Sequence, residues 1–217
     1  MYRNFIKPIL DSIFALMVFP FLLLLILIVG ILIKLEDGGS VFYKAKRLGK
    51  NGKPFKMLKF RSMKENAPDI RNADGTTYSS PEDPRLTKIG KILRETSIDE
   101  LPQFINVLLG QMSVLGPRPD PIEWFDKSSE EAKKKYLVKP GVSGYSQAYF
   151  RNTLPLEEKN KNEVYYLEHI SFWFDIKIFF KTIERVLKRG DVYREDLSIV
   201  NVNVPNKTNE ATVTEEK

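Results

Sequence analysis

The chain has 217 residues, a formal net charge of +6, one histidine and no cysteine. Disulfide frameworks and thiolate chemistry are excluded, and zinc sites built on histidine and cysteine nearly so. Any metal must sit on oxygen ligands, which points to magnesium or manganese. The positive charge suits an anionic partner (nucleic acid, anionic lipid or a phosphorylated substrate), and the length suits one compact domain with appendages.

Ser12 to Ile33 carries no charge and is mostly Leu, Ile, Val and Phe. A helix of that length rises about 30 Å, enough to cross the hydrocarbon core of a bilayer. The run is too long for a typical signal peptide, and no small-residue cleavage site follows it. Arg3 and Lys7 flank one end; Lys34, Lys44, Lys46 and Arg47 follow the other. The positive-inside rule therefore places both ends in the cytoplasm. Pro20 removes a helix hydrogen bond and clashes with the carbonyl of Leu16. A re-entrant hairpin fits both observations; a straight span with a tolerated kink stays open beside it.

Val41-Phe42-Tyr43 reads as a short strand and Asn51-Gly52 as a hairpin turn. The alternation in Phe55 to Met63 predicts a half-buried strand, with Lys59 and Arg61 on its polar face opposite Phe60. Residues 65–84 read as loop, and no D-x-D pair occurs there. Leu86 to Arg94 reads as a short basic helix. Ser97-x-x-Glu100 is a capping-box pattern that predicts a helix from there to about Leu109, ended by Gly110. Asp99 then falls in the first turn, where free N–H groups favour negative charge. Arg94 lies just upstream of this acidic pair and Gly116-Pro117-Arg118-Pro119 downstream. Two fixed φ angles hold Arg118, which suits a preorganised anion clamp.

Ser128-x-x-Glu131 predicts a second capped helix, to Lys135. Lys139 to Gly144 reads as a tight turn, and Tyr145 to Asn152 as a strand or loop carrying Gln147 and Arg151. Leu156 to His169 reads as a polar helix, with His169 structural or interfacial. Phe172 to Arg189 combines apolar bulk, aromatics and a basic edge. It suits a helix in the membrane surface or an ordinary core helix. Asp175, among its aromatics, suits a hydrogen bond or ion pair. Asn201 to Lys217 is polar and aperiodic, which predicts a disordered tail.

Several stretches together resemble the bacterial sugar transferases that are monotopic phosphoglycosyl transferases of the short form. They are Ile33-Lys34-Leu35, Val41-Phe42-Tyr43, Lys59-Phe60-Arg61-Ser62-Met63, Ser97 to Gln103, Asn106-Val107-Leu108, Leu115 to Pro119 and Lys139 to Gly144. The resemblance covers about residues 1–190. It implies an α+β fold: an N-terminal re-entrant membrane helix, amphipathic interfacial helices and a small β-hairpin or sheet around an active site on the cytoplasmic face of the bacterial inner membrane. It divides the chain into a membrane-embedded helix over 1–35, a catalytic domain over 36–190 and a C-terminal extension over 191–217. Lone Pro20 replaces the family's Ser-Pro break. Lys139-Pro140-Gly141 and Gly144-Tyr145-Ser146-Gln147 replace its usual Arg-Pro-Gly and Gly-Trp-x-Gln.

The resemblance implies a two-step exchange between a UDP-sugar and undecaprenyl phosphate, with Asp99 as nucleophile and magnesium (or manganese) ligand and Glu100 in metal support or proton handling. Lys59, Arg61, Arg94, Arg118 and Arg151 are the candidate substrate contacts. A non-catalytic membrane adaptor binding anionic lipid is the alternative; it leaves the acidic pair and the stiff Arg118 loop without a use. Nucleic acid is set aside, because the apolar segment ties the chain to a membrane.

Overall fold

The computed structural model describes residues 1–72, 78–151 and 153–188, and the backbone of 200–202. A π-helical turn, Tyr2–Ile6, leads into α1, Lys7–Asp37. Helix α1 is longer than the apolar run at both ends. It is one unbroken α-helix through Pro20, so the expected hairpin break is absent there. It stops where Gly38 turns left-handed at φ 71° and donates its N–H to the Lys34 carbonyl, the glycine-closed helix end.

One stripe of α1 is buried: Lys7, Asp11, Ala15, Leu22, Val29 and Ile33. The steps of four and seven are those of a single helix face. Ala15 and Leu22 pack with Ala45, Met57, Phe104, Val107 and Met112; Val29 and Ile33 pack with Phe60 and Leu93. The rest of the helix is apolar and exposed, including Leu16, Phe21, Leu24, Leu27, Ile31 and Leu35. Such a patch marks contact with lipid or protein.

Both ends of α1 are tied to the domain. At the start, Lys7 Nζ donates to Asp175 at 2.8 Å, and the Tyr2 hydroxyl to the same carboxylate at 2.7 Å. Asp11 accepts from Ser113 Oγ at 2.6 Å and Val114 N at 3.2 Å. At the far end, Asp37 pairs with both terminal nitrogens of Arg61. Glu36 accepts from the free N–H groups of Lys88 and Ile89 at the start of the next helix.

Strands β1, Phe42–Leu48, and β2, Pro54–Phe60, form the expected hairpin, with Phe42 opposite Phe60 and Leu48 opposite Pro54. Asn51 and Gly52 both take positive φ at its tip, as that turn pair favours. Strand β3, Ile70–Asn72, pairs with the C-terminal β6, Val200–Val202. A strand thus stands at 200–202, where the disordered tail was expected to begin; the rest of the extension lies outside the described residues.

Helix α2, Lys88–Glu95, is capped by Thr87 Oγ. Gly90 sits on the Ser62 backbone, where a Cβ would lie 1.9 Å from the Ser62 carbonyl oxygen. Helix α3 is only Gln103–Leu108. The capping box at Ser97 does not form. Ser97 is left-handed at φ 58°, its hydroxyl caps nothing, and Ile98–Glu100 is a single 3-10 turn. Strand β4, Ser113–Leu115, pairs parallel with β5, Gly141–Ser143, in the stretch read as a tight turn. Helix α4, Glu130–Lys133, is capped by Ser129, one residue later than read, because the Ser129 hydroxyl reaches Ala132 N. Helix α5, Tyr145–Tyr149, replaces the expected strand or loop.

Helices α6, Leu156–Glu168, and α7, Phe172–Lys188, close the fold around Tyr166, whose hydroxyl donates to Asp175 at 2.8 Å. His169 stacks on Tyr165 and its Nδ1–H donates to the Tyr165 carbonyl, a structural role. Asp175 and Ile178 of α7 are buried, while Trp173, Phe180 and Leu187 are exposed. The helix therefore packs on the core along one side and offers aromatic and apolar groups on the other.

Both ends of α1 are attached to the one domain, and the expected outcome is that they lie on the same side of a membrane. Single cysteines at Arg3 and at exposed Lys44 should react equally with an impermeant reagent in sealed inverted vesicles, and neither in right-side-out cells. Opposite accessibility of the two positions would mean a spanning α1.

Candidate active site

The 3-10 turn Ile98–Glu100 presents its two carboxylates differently. Glu100 accepts from Lys59 Nζ of β2 at 2.6 Å and lies 3.5 Å from an Arg118 terminal nitrogen. Burial alone would raise its pKa, but Lys59 and Arg118 together outweigh that and hold it well below the usual carboxylate range. Asp99 is buried and takes no hydrogen bond from the described residues. Burial first, and then the negative charge of Glu100, push its pKa up to about 6; Lys59, Arg94 and Arg118 pull the other way. The pair therefore splits into an ion-paired Glu100 and an unpartnered Asp99.

The positioning is built from distant segments. Asn106 in α3 accepts from Leu58 N at 2.9 Å and donates to the Lys56 carbonyl at 2.9 Å. That registers β2, with Lys59, against the helix that follows Glu100. Arg94 is steered by Ser62, whose hydroxyl takes its Nε–H at 3.1 Å. Arg151, itself left-handed at φ 48°, donates to Ser97 Oγ at 3.1 Å and braces the turn from outside. The Arg118 loop is packed hard on the Lys139–Gly144 stretch. A Cβ on Gly141 would lie 2.1 Å from Gly116 N, and one on Gly144 2.0 Å from the Gly116 carbonyl oxygen. Only glycine allows that approach.

Lys59, Arg94 and Arg118 thus gather around the Asp99–Glu100 turn, and Arg151 bonds Ser97, the residue before it. Arg61 is the exception. Its Nε–H goes to the Ser40 carbonyl at 2.6 Å, and its terminal nitrogens to Asp37 and the Met63 carbonyl. The strand alternation was read without Asp37, and that carboxylate draws Arg61 into the latch at the end of α1. Sequence reasoning passed over Asn106 and Ser62 as positioning groups. Both lie inside stretches that carried the family resemblance, but neither has a local pattern that reveals its partner.

Among the described residues no three His, Asp or Glu side chains converge. Magnesium often makes do with one or two carboxylates, water and substrate phosphates. Asp99, free of donors, fits the first of these; Glu100, committed to Lys59, fits less well. A cavity of about 130 Å³ between Arg3, Lys7, Ser113 and Lys139 lies at the root of α1 rather than at Asp99.

Fold and site together define a small α+β domain, carried on a long apolar helix, with a cation-ringed carboxylate pair at its centre. The chain belongs to the bacterial sugar transferase family, whose model matches residues 2–189. It is 37% identical over 189 residues to the UDP-N-acetylgalactosamine-undecaprenyl-phosphate N-acetylgalactosaminephosphotransferase of Aeromonas hydrophila, covering 84% of this chain and 44% of that one. It is 42% identical over 163 residues to the UDP-glucose:undecaprenyl-phosphate glucose-1-phosphate transferase of Escherichia coli K12, covering 71% and 34%. With the exopolysaccharide production protein ExoY of Rhizobium meliloti it shares 40% over 192 residues, covering 81% and 82%. The chain therefore spans less than half the length of the first two relatives and most of the third.

Two stability outcomes follow. A raised folded pKa means that the fold favours protonated Asp99. That contribution is complete below about pH 4 and lost as pH rises through about 6. In metal-free buffer at pH 8, Asp99→Asn should raise the unfolding free energy by on the order of 1–3 kcal/mol, and the gain should vanish near pH 4. Arg61→Ala should cost on the order of 1–3 kcal/mol in denaturant melts, because it removes a buried guanidinium whose carboxylate partner Asp37 is exposed. Because Arg61 serves the latch, activity per folded molecule should stay within about twofold.

Proposed function

We propose that the chain transfers a sugar-1-phosphate from a UDP-sugar to undecaprenyl phosphate. The products are UMP and an undecaprenyl-diphosphate-sugar, the first membrane-bound intermediate of a surface glycan. The observation that carries this reading is the division of the acidic pair: Asp99 buried and unpartnered, Glu100 locked to Lys59. A carboxylate attacking an anionic phosphate needs charge neutralisation and exclusion of water more than it needs a base. The family membership and the printed activities of the relatives support the substrate classes.

In the first displacement an Asp99 Oδ attacks the sugar-linked phosphorus. The bond from that phosphorus to the bridging oxygen breaks, and its electron pair leaves on UMP. An aspartyl phosphosugar remains. In the second, a phosphate oxygen of the lipid attacks the same phosphorus and the Asp99 carboxylate departs as it began. Lys59 and Arg118, held by Glu100, and Arg94, held by Ser62, face the charge that builds on the phosphoryl oxygens. They are fixed beforehand and need no reorganisation during the reaction. A magnesium ion on Asp99 and the donor diphosphate would supply further charge neutralisation.

The work site is the cytoplasmic face of the inner membrane. Support comes from the two attachments of α1 to one domain, and from the lysines and arginines that flank both of its ends.

With UDP-sugar alone, the full chain in detergent should release at most one equivalent of UMP per site. Intact-mass measurement should then show one phosphosugar added. Asp99→Asn should show neither. Lipid-dependent turnover without burst or adduct would refute the covalent route. Excess chelator should abolish turnover, and magnesium should restore it; full activity in chelator would remove the metal.

A further inference from the structure

Arg47 stands near the end of β1, in the hairpin rather than in any stretch read as catalytic. The outer edge of β1 does not run free there. Leu48 N donates to the Asp120 carbonyl at 2.9 Å, and Arg47 bridges to Pro121. The segment so captured is the one that carries Arg118. The junction thereby ties the strand that carries Arg47 to the segment that carries Arg118.

The charge around them is not balanced. Glu100 is in direct contact with Lys59, and Arg118 only reaches it at 3.5 Å. Of the other carboxylates nearby, Glu123 is taken by Arg71 at 3.2 Å, Asp120 by Lys135 and by the Tyr136 hydroxyl at 2.9 Å, and Glu163 lies by the backbone of Arg118. Arg47 itself has no carboxylate partner within ion-pair distance among the described residues, and its guanidinium donates only to the Lys46 carbonyl, at 3.4 Å. Arg47 is half-buried, and burial and the neighbouring Arg118 hold its pKa below the ordinary arginine value. Arg118 lies near enough to act on the half-buried Arg47 guanidinium, and two such cations repel each other unless an anion lies between them. A planar fork of donors is also what phosphate recognition uses.

We propose that Arg47 and Arg118 form a two-arginine clamp on the donor diphosphate, with Arg118 toward the sugar-linked phosphate at Asp99 and Arg47 on the phosphate that leaves with the nucleotide. The proposal rests on the nucleotide-sugar reading above and adds to it a residue and an orientation. The attacked phosphate must lie at Asp99, and Arg118 is the arginine that contacts the Asp99–Glu100 turn. The second phosphate then falls to Arg47. In the first displacement the leaving oxygen gains negative charge, and Arg47 meets it. The group stabilised is the bridging oxygen, now part of UMP, and no proton is required.

The test is direct binding to the full detergent-solubilised chain, by calorimetry, of UMP and of uridine. Wild type should bind UMP, and Arg47→Gln should weaken it at least tenfold, the loss expected for a charge-assisted hydrogen bond. Uridine affinity should not change. Arg47→Lys keeps the charge and loses the fork, so it should fall between, and it carries the test if the glutamine variant does not fold. In turnover, Arg47→Gln should raise KM for UDP-sugar at least tenfold and leave KM for undecaprenyl phosphate unchanged. A folded Arg47→Gln with wild-type UMP affinity overturns the clamp and leaves the transferase reading intact. A wild-type chain that binds neither UMP nor UDP-sugar overturns the nucleotide-donor reading, and the clamp with it.

Discussion

The ion pair between Lys59 and Glu100 is the contact on which the site depends. It joins the hairpin to a 3-10 turn 41 residues later, in a place where most of both side chains is out of water. Breaking such a pair by deleting one partner leaves a buried charge, which costs far more than the pair gains. The same pair also acts on its neighbour. Burial pushes the Asp99 carboxyl up, the anionic Glu100 adds to that push, and Lys59 opposes it. The arginine loop answers to the same carboxylate, so one residue organises a strand, a turn and a loop.

Much of the architecture was legible from periodicity and turn chemistry. The apolar helix, the hairpin with Asn51-Gly52, the paired helices at the C-terminal end and the glycine stop after α3 all rest on local signals. What failed was decided by partners far away in sequence. Ser97 has the residue type of a helix cap and Glu100 the right spacing, yet Arg151 takes the hydroxyl and Lys59 takes the carboxylate. Arg61 sits one strand step past Phe60 as its alternation requires, but Asp37, 24 residues earlier, claims it. Lys139 to Gly144 has the composition of a turn; its role as a strand comes from parallel pairing with Ser113–Leu115, which no local pattern announces.

The structure brings the acidic pair, Lys59, Arg94 and Arg118 together, as their order in the sequence did not by itself require. The acidic pair and the Arg118 loop were visible because their residue types are unusual at that density. The division of labour inside the pair was not, because it comes from which carboxylate Lys59 reaches. Asn106 and Ser62 show the same limit: each is an ordinary polar residue until its backbone or side-chain partner is known.

The attachments of α1 also fix an order of events in the making of the protein. Lys7 and Asp11 are synthesised well before their partners, Asp175 and Ser113. At about 5–20 residues per second, roughly 10–30 s separate the emergence of Lys7 from that of Asp175. During that interval the apolar helix can already meet the membrane while its charged root has no domain to hold it. Lys7 and Asp11, four residues apart and 3.7 Å from each other, can neutralise one another in the meantime. The long helix is thus an early tether, and its root is clasped into the fold only when α7 arrives.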